Sequence, residues 1–323
     1  MKVLDAAADG PASGARARTA PRGWIEVQLD VVHECLVAGI GTRAVRHLFD
    51  ALDHAWDHDN PGSSGALIEF CRSHPLHDLL MKDPYTARAR AKPRGYAGDP
   101  RTLDYVYSPH LPAGICSIGA DVFRATTGSS AARSVVGRRD LLTHFIDRTA
   151  RTRRRARVLA IGCGHLREAA RSKTLTLGGI HELWAVDHDP ESLAVVNREH
   201  SGAPVRTIHR TVEAIVGGEI DAVDFDLIYA AALLDHLDDS AASKLLEVLF
   251  QSLRPGGSLL VGNFTPTHRG RGYMAVFMDW RLRCRTQVEL AALLGSLDAR
   301  EQPDTLTWTE RAGNIAYLVL SKR

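Results

Sequence analysis

A parallel α/β sheet preceded by a helical region is the fold class that this 323-residue sequence predicts. Three observations predict it. From Arg157 onwards, apolar runs of strand length alternate with segments long enough for crossover helices, the pattern of a sheet covered on both faces. The first run, Val158-Leu159-Ala160-Ile161, breaks into Gly162-Cys163-Gly164. Such a turn lets the backbone approach a ligand and presents amide N–H groups at a helix start. Between Trp24 and about Ala150, by contrast, apolar residues recur at helical spacing and no strand is evident.

Residues 1–22 are rich in Ala, Gly, Arg and Pro, lack the apolar stretch of a signal peptide, and read as a disordered tail. Residues 23–150 are a helical region that is expected to serve as lid and substrate region of the active site. Ile25, Leu29, Val32 and Leu36 mark one helix face, and Val45, Leu48, Phe49 and Leu52 another. A loop at 59–65 precedes an apolar helix over 66–80. The segment KPRGYAGD, starting at Lys92, is too polar and glycine-rich for a core strand and reads as a loop. Ser129 or Ser130 caps a long helix that turns Val135, Leu141, Leu142, Phe145 and Ile146 inward. Arginines within 151–157 mark the passage into a second domain, residues 151–323, and are better explained as a solvated surface than as a nucleic-acid patch.

In that domain, strands are expected at 157–161, 182–186, 205–208, 225–230 and 258–262. Arg167-Glu168 falls on the first helical turn after the glycine turn. A helix end and a Pro-Gly-Gly turn lead into the fifth strand. The runs 305–308 and 315–323 form a terminal hairpin, so the last strand enters antiparallel. Composition narrows the class further. No run approaches 18 apolar residues, so no membrane span is expected. Five scattered cysteines without a C-x-x-C suit reduced thiols in a cytoplasmic protein, with neither a disulfide frame nor a metal site. A formal charge of +2 exerts no global pull on nucleic acid.

The glycine turn is too short for a G-x-G-x-x-G fingerprint, because Arg167 stands three residues after Gly164. The second strand ends at Asp187, where a carboxylate can accept hydrogen bonds from both hydroxyls of a ribose; the simpler reading is a cap for the helix that Asp189-Pro190 begins.

With the strand-four segment FDLIYAAALLDHLDD and the turn-and-strand LRPGGSLLVGNF, these motifs resemble a class I S-adenosylmethionine-dependent methyltransferase over 157–323. The resemblance implies a Rossmann-like seven-stranded sheet with the last strand antiparallel, and S-adenosyl-L-methionine as cofactor. Gly162 and Gly164 would pass its methionine part, and Asp187, with His188 beside it, would hold the ribose. Val212 and Glu213 would lie beside the adenine, and Ala230 and Ala231 would offer backbone groups near the amino-acid end. KPRGYAGDP, IGCGHLRE, IYAAALLDHLDD, LLVGNFTP and YMAVFMDWRLRCRT resemble more narrowly a bacterial subgroup that includes the enzymes implicated in making 3-hydroxypalmitic acid methyl ester. That subgroup often has Tyr where His236 and Cys284 stand here. The resemblance points to secondary metabolism.

The remaining site residues follow from the chemistry. A sulfonium methyl is already activated, so the protein must place a nucleophile in line and exclude water. The loop after Lys92 reads either as a surface turn with Tyr96 packed down or as a cover over the cofactor, in which Tyr96 touches acceptor or cofactor, Arg94 faces an acceptor carboxylate, and Asp99 takes the cofactor ammonium. His236, after strand four, is the candidate general base, or a helix-start histidine paired with Asp238 or Asp239. Asn263 at the tip of strand five is a pocket candidate; Phe277 and Trp280 belong to a stripe that reads either as core or as the wall of an apolar pocket, with Tyr273 and one of Arg281, Arg283 or Arg285, Arg283 first, at its rim for a carboxylate. The expected reaction is methyl transfer to oxygen or nitrogen of a small, carboxylate-bearing metabolite. The expected partners are that small molecule, with no nucleic acid and no membrane, and the sequence leaves room for a homodimer. A nucleic-acid methyltransferase and a cofactor-binding regulator without catalysis stay open as alternatives.

Overall fold

A computed structural model describes residues 22–58, 64–219, 223–297 and 303–323. Of the expected tail, residues 1–21 lie outside the described residues, and Arg22 already begins a helix. The loop at 59–65 also lies mostly outside them.

The helical region runs α1 (Arg22–Val37), α2 (Gly41–His58), α3 (Ser64–Ser73), α4 (Leu76–Leu80), α5 (Pro84–Ala91), α6 (Pro100–Tyr107), α7 (Ser117–Thr127) and α8 (Ser130–Thr152). The stretch expected as one helix over 66–80 is two. Pro75 has no N–H to continue α3, and His74 Nδ1 accepts the Leu76 N–H. Caps set the other starts: Asp83 precedes Pro84, Asp99 precedes Pro100, and Ser129 accepts from Ala132 N–H at the head of α8.

The sheet region runs β1 (Ala156–Ile161), α9 (Lys173–Thr176), β2 (Ile180–Asp187), α10 (Pro190–Glu199), β3 (Val205–His209), α11 (Val212–Val216), β4 (Phe225–Ala230), α12 (Asp239–Gln251), β5 (Leu253–Phe264), α13 (Arg271–Val276), α14 (Gln287–Ala292), β6 (Asp304–Thr309) and β7 (Ile315–Ser321). The strands form one seven-stranded sheet in the order β3-β2-β1-β4-β5-β7-β6, with β7 antiparallel to both neighbours. This is the expected sheet. The fifth strand starts earlier than 258, because the Pro-Gly-Gly segment is held in the sheet by bonds between Gly256 N–H and Lys322 O and between Lys322 N–H and Gly257 O.

Side chains alternate along the strands, so the sheet has two apolar faces. Val158, Ala160, Leu227, Tyr229 and Leu260 share one core with the N-terminal helices. Leu159, Ile161, Ile228, Ala230 and Val261 share the other with α12 and α14. The helical region is therefore the cover of one sheet face. Two contacts show how closely it fits: Asp53 on α2 accepts the Gly270 and Gly272 N–H groups, and a Cβ on Gly272 would collide with the Leu52 backbone. Among the described residues, no helix is long and apolar enough to cross a membrane.

Candidate active site

The carboxyl ends of β1, β2 and β4 open on a cleft of about 330 Å³ that continues into a lobe of about 230 Å³, in the range of small-molecule sites. Gly162 and Gly164 have φ of +63° and +53°, a region that L side chains rarely adopt, and a Cβ on Gly164 would press on the Pro100 ring. Asp187 fixes this turn. Its Oδ2 accepts the Gly164 N–H at 2.8 Å and its Oδ1 accepts the Asp189 N–H at 2.9 Å. Asp187 also lines both lobes, so its carboxylate serves the turn while facing the middle of the cleft. Asp189, one turn on, is the residue that caps α10.

The outer lobe holds Val212 and Glu213, together with Gly162, Asp187 and His188. His188 is exposed, and the Asp187 carboxylate 3.3 Å away raises its pKa. The inner lobe is lined by Tyr96, Tyr107, Arg138, Gly162, Gly164, Glu168, Tyr229, Ala231 and His236, among others. Ala230 lines neither lobe, since alternation turns its side chain to the α12 face. This arrangement fits S-adenosylmethionine. A glycine turn without Cβ atoms, a carboxylate at mid-cleft and charged side chains at the end away from Val212 match a nucleoside with a zwitterionic tail.

A second, mostly apolar cavity adjoins the first. Phe49, Tyr85, Val135, Tyr273, Met274, Met278 and Trp280 line it, with Arg269 at its wall. Gly98, Leu103, Arg138, Ala232 and His236 line both cavities. His236 thus stands where the two meet. Burial, with the Arg138 and His188 charges, lowers its pKa, so the ring is neutral at pH 7. No Asp–His dyad forms with its neighbour: Asp235 is buried and accepts the Phe264 N–H at 2.7 Å. Burial raises the Asp235 pKa to about 6 against the pull of Arg138 and Arg285.

Several expected residues lie elsewhere. Asp99 is fully buried, paired with Arg88 at 2.7 Å and spent on the α6 N-terminus, so it does not face the cofactor. Arg94 reaches Asp189 at 2.8 Å and Glu191 at 2.9 Å, which straps the loop after Lys92 onto α10 and leaves no guanidinium for an acceptor. Tyr96 does line the cleft, with its ring 5.3 Å from that of His188, and burial pushes its hydroxyl pKa up. Asn263 is fully buried, donating to Arg283 O and accepting from Arg285, and lines neither cavity. Phe277 is core, packed on Tyr273 and His77. Arg283 is exposed and lines neither cavity. The helical stripe that would have aimed these residues stops at Val276, where Arg72 takes the Ala275 and Val276 carbonyls. Tyr273 and Trp280 do reach the second cavity; the Tyr273 hydroxyl bonds that of Thr86 at 2.9 Å, and Gly98 packs so closely on the Trp280 indole that a Cβ there would collide.

Arg138 and Glu168 also line the inner lobe, where the sequence reading placed neither. Arg138 carried a signal, since it falls on the α8 face of Val135 and Leu142, where a charged residue among inward apolar ones is anomalous. For Glu168 the sequence offered only its place just after the glycine turn.

Residues 158–257 match the family model described as a methyltransferase domain. No curated protein matches the sequence. Among solved structures, one from Bordetella parapertussis, described as a possible exported protein, is similar over 94% of this chain and 99% of its own, with 16% identity and a TM-score of 0.61. N-methyltransferase NodS from Bradyrhizobium japonicum, in complex with S-adenosyl-l-homocysteine, is similar over 57% of this chain and 86% of its own, with 15% identity and a TM-score of 0.41. A TehB-like methyltransferase from Corynebacterium glutamicum is similar over 56% and 86%, with 16% identity and a TM-score of 0.40.

Proposed function

We propose that this chain, whose methyltransferase domain uses S-adenosylmethionine, transfers the methyl group to oxygen or nitrogen of a small, carboxylate-bearing metabolite. One observation carries the reading: an apolar cavity adjoins the inner lobe of the cofactor cleft across a shared wall that contains His236. The cofactor supplies an electrophilic methyl on a sulfonium. The chain has to bring the acceptor atom to about 3 Å in line with it and keep water away.

Each part of that task has residues suited to it. Tyr273, Met278 and Trp280 offer an apolar bed for the acceptor body. Arg269, exposed at the wall of the cavity and without an ion pair among the described residues, replaces Arg283 as the cation for its carboxylate. The neutral His236 ring is able to take a proton from a hydroxyl or amine as the new bond forms. The strapped loop bearing Tyr96 covers the cleft beside His188.

The test is a mass-spectrometric screen of amino acids, aromatic acids and hydroxy acids with the purified protein and S-adenosylmethionine. The expected product carries an acid group, and Arg269→Ala raises its KM about tenfold or more with little change in kcat. Methylation confined to neutral acceptors refutes the carboxylate handle, and turnover of none of these classes refutes the small-molecule reading.

A further inference from the structure

The amino-acid end of S-adenosylmethionine carries an ammonium and a carboxylate on one carbon. The acid expected for the ammonium, Asp99, is paired elsewhere. Beyond Asp187, His188 and an Arg167 already paired with Asp104 and Glu199, two charged groups without an ion pair among the described residues line the inner lobe. Glu168 is 7% exposed, and one of its carboxylate oxygens accepts the Tyr229 hydroxyl at 2.8 Å. The Thr143 hydroxyl holds its backbone carbonyl at 3.0 Å. Arg138, 4% exposed, enters from α8 and is hydrogen-bonded to the Tyr107 hydroxyl. Glu168 and Asp235 both lie close enough to act on its charge, yet among the described residues no carboxylate forms an ion pair with it.

Their position is informative. Asp187 and His188 line both lobes, whereas Glu168 and Arg138 line the inner lobe and are absent from the outer lobe that holds Val212 and Glu213. With the ribose at Asp187 and the adenine beyond it, the inner lobe is where the amino-acid end falls. Leaving a buried carboxylate and a buried guanidinium unpaired is costly unless a ligand brings the complementary charges. A carboxylate on the acceptor would answer Arg138 alone. A zwitterion answers both.

Resting on the reading of the cleft as a S-adenosylmethionine site, we propose that Glu168 and Arg138 are the receptor for the amino-acid end of the cofactor. Glu168 takes the ammonium and Arg138 the carboxylate, with the Tyr229 and Tyr107 hydroxyls holding each in place.

The experiment compares ligands by calorimetry: S-adenosylhomocysteine, its decarboxylated form, and 5′-methylthioadenosine, which lacks the amino-acid end. The wild type binds S-adenosylhomocysteine at least tenfold more tightly than methylthioadenosine. Glu168→Gln weakens S-adenosylhomocysteine about ten- to hundredfold, as expected for a lost charge-assisted bond, and leaves methylthioadenosine within twofold. Arg138→Gln weakens S-adenosylhomocysteine by a similar factor and leaves the decarboxylated form within twofold. Equal wild-type affinity for S-adenosylhomocysteine and methylthioadenosine overturns the proposal even if neither variant folds. So does unchanged S-adenosylhomocysteine binding in both variants, or a parallel loss of all three ligands. A wild type that binds none of them overturns the cofactor reading itself.

Discussion

Removing the Asp187 carboxylate should have two separable effects. In the ligand-free protein Asp187→Ala takes the acceptor from two backbone N–H groups, those of Gly164 and Asp189. A stranded donor costs about 1–3 kcal/mol where water cannot replace the lost oxygen, and less where it can. The Asp189 N–H is in buried surroundings, whereas the Gly164 N–H is partly open, so a loss of about 2 kcal/mol is the reasonable figure. At about 2–4 °C per kcal/mol for a domain of this size, thermal melting should fall by roughly 4–8 °C. The second effect is on the ligand. Charge-assisted bonds to ribose hydroxyls contribute about 1.5–3 kcal/mol each, so S-adenosylhomocysteine affinity should drop by about tenfold at least and past a hundredfold if both hydroxyls are held. Asp187→Asn keeps one oxygen but not the charge and should fall between. Calorimetry on the ligand and melting of the ligand-free protein read the effects independently. A lower melting temperature with affinity within twofold of wild type would mean that the carboxylate serves the turn alone, and would refute the ribose assignment.

Two further predictions concern histidines. His236→Ala should cut kcat by about 10²–10⁴-fold for an acceptor that carries a proton, and leave S-adenosylhomocysteine affinity within twofold; the wild-type rate should fall as pH drops through a pKa below the usual imidazole value, and a flat pH–rate profile would exclude its role as base. His268 is buried, its Nδ1–H donating to Thr265 O, and burial lowers its pKa to about 4 against 6.5 unfolded. The folded state then binds fewer protons across that interval, so the stability contributed by the neutral ring is fully present above pH 6.5 and is lost as pH falls towards 4, on the order of 3 kcal/mol. Urea unfolding at pH 7 and pH 4.5 should show the margin of wild type over His268→Asn shrinking by most of that amount, and a constant margin would refute the assignment.

The sheet was readable in the sequence because its signals are local: apolar runs, glycine turns and a final hairpin repeat every few residues. The same holds for the cap of α8, narrowed from Ser129 or Ser130 to Ser129, and for the placement of Gly162, Gly164 and Asp187 at strand ends, which topology dictates. The acceptor side was not readable. Asp99, Arg94 and Asn263 are polar residues in plausible places, but Asp99 is taken by Arg88 and by the α6 N-terminus beside it, and partners farther along the chain decide what the other two face, Arg285 for Asn263 and the α10 N-terminus for Arg94. A helical repeat in 273–285 suggested that Phe277 and Arg283 would look outward into a pocket, and the early end of α13 removes that periodicity. Arg138 enters the site from the domain read as cover, and no local pattern predicts that a helix preceding β1 reaches the carboxyl ends of β1 and β4.

The place of β7 in the sheet has a consequence for how the chain is made. Its residues 315–321 pair along β5, whose other edge belongs to β4, so Leu259–Phe264 keep one row of backbone donors and acceptors open until the terminal hairpin arrives. That strand is apolar and long, the type of edge on which another chain adds most easily. The pairing is also distant in sequence, and distant pairings close late. A ribosome-bound or refolding molecule therefore passes through a state with a sticky strand in the middle of its future sheet. Any product cut before Ile315 would be held in that state, and should precipitate or recruit chaperones in proportion to its concentration.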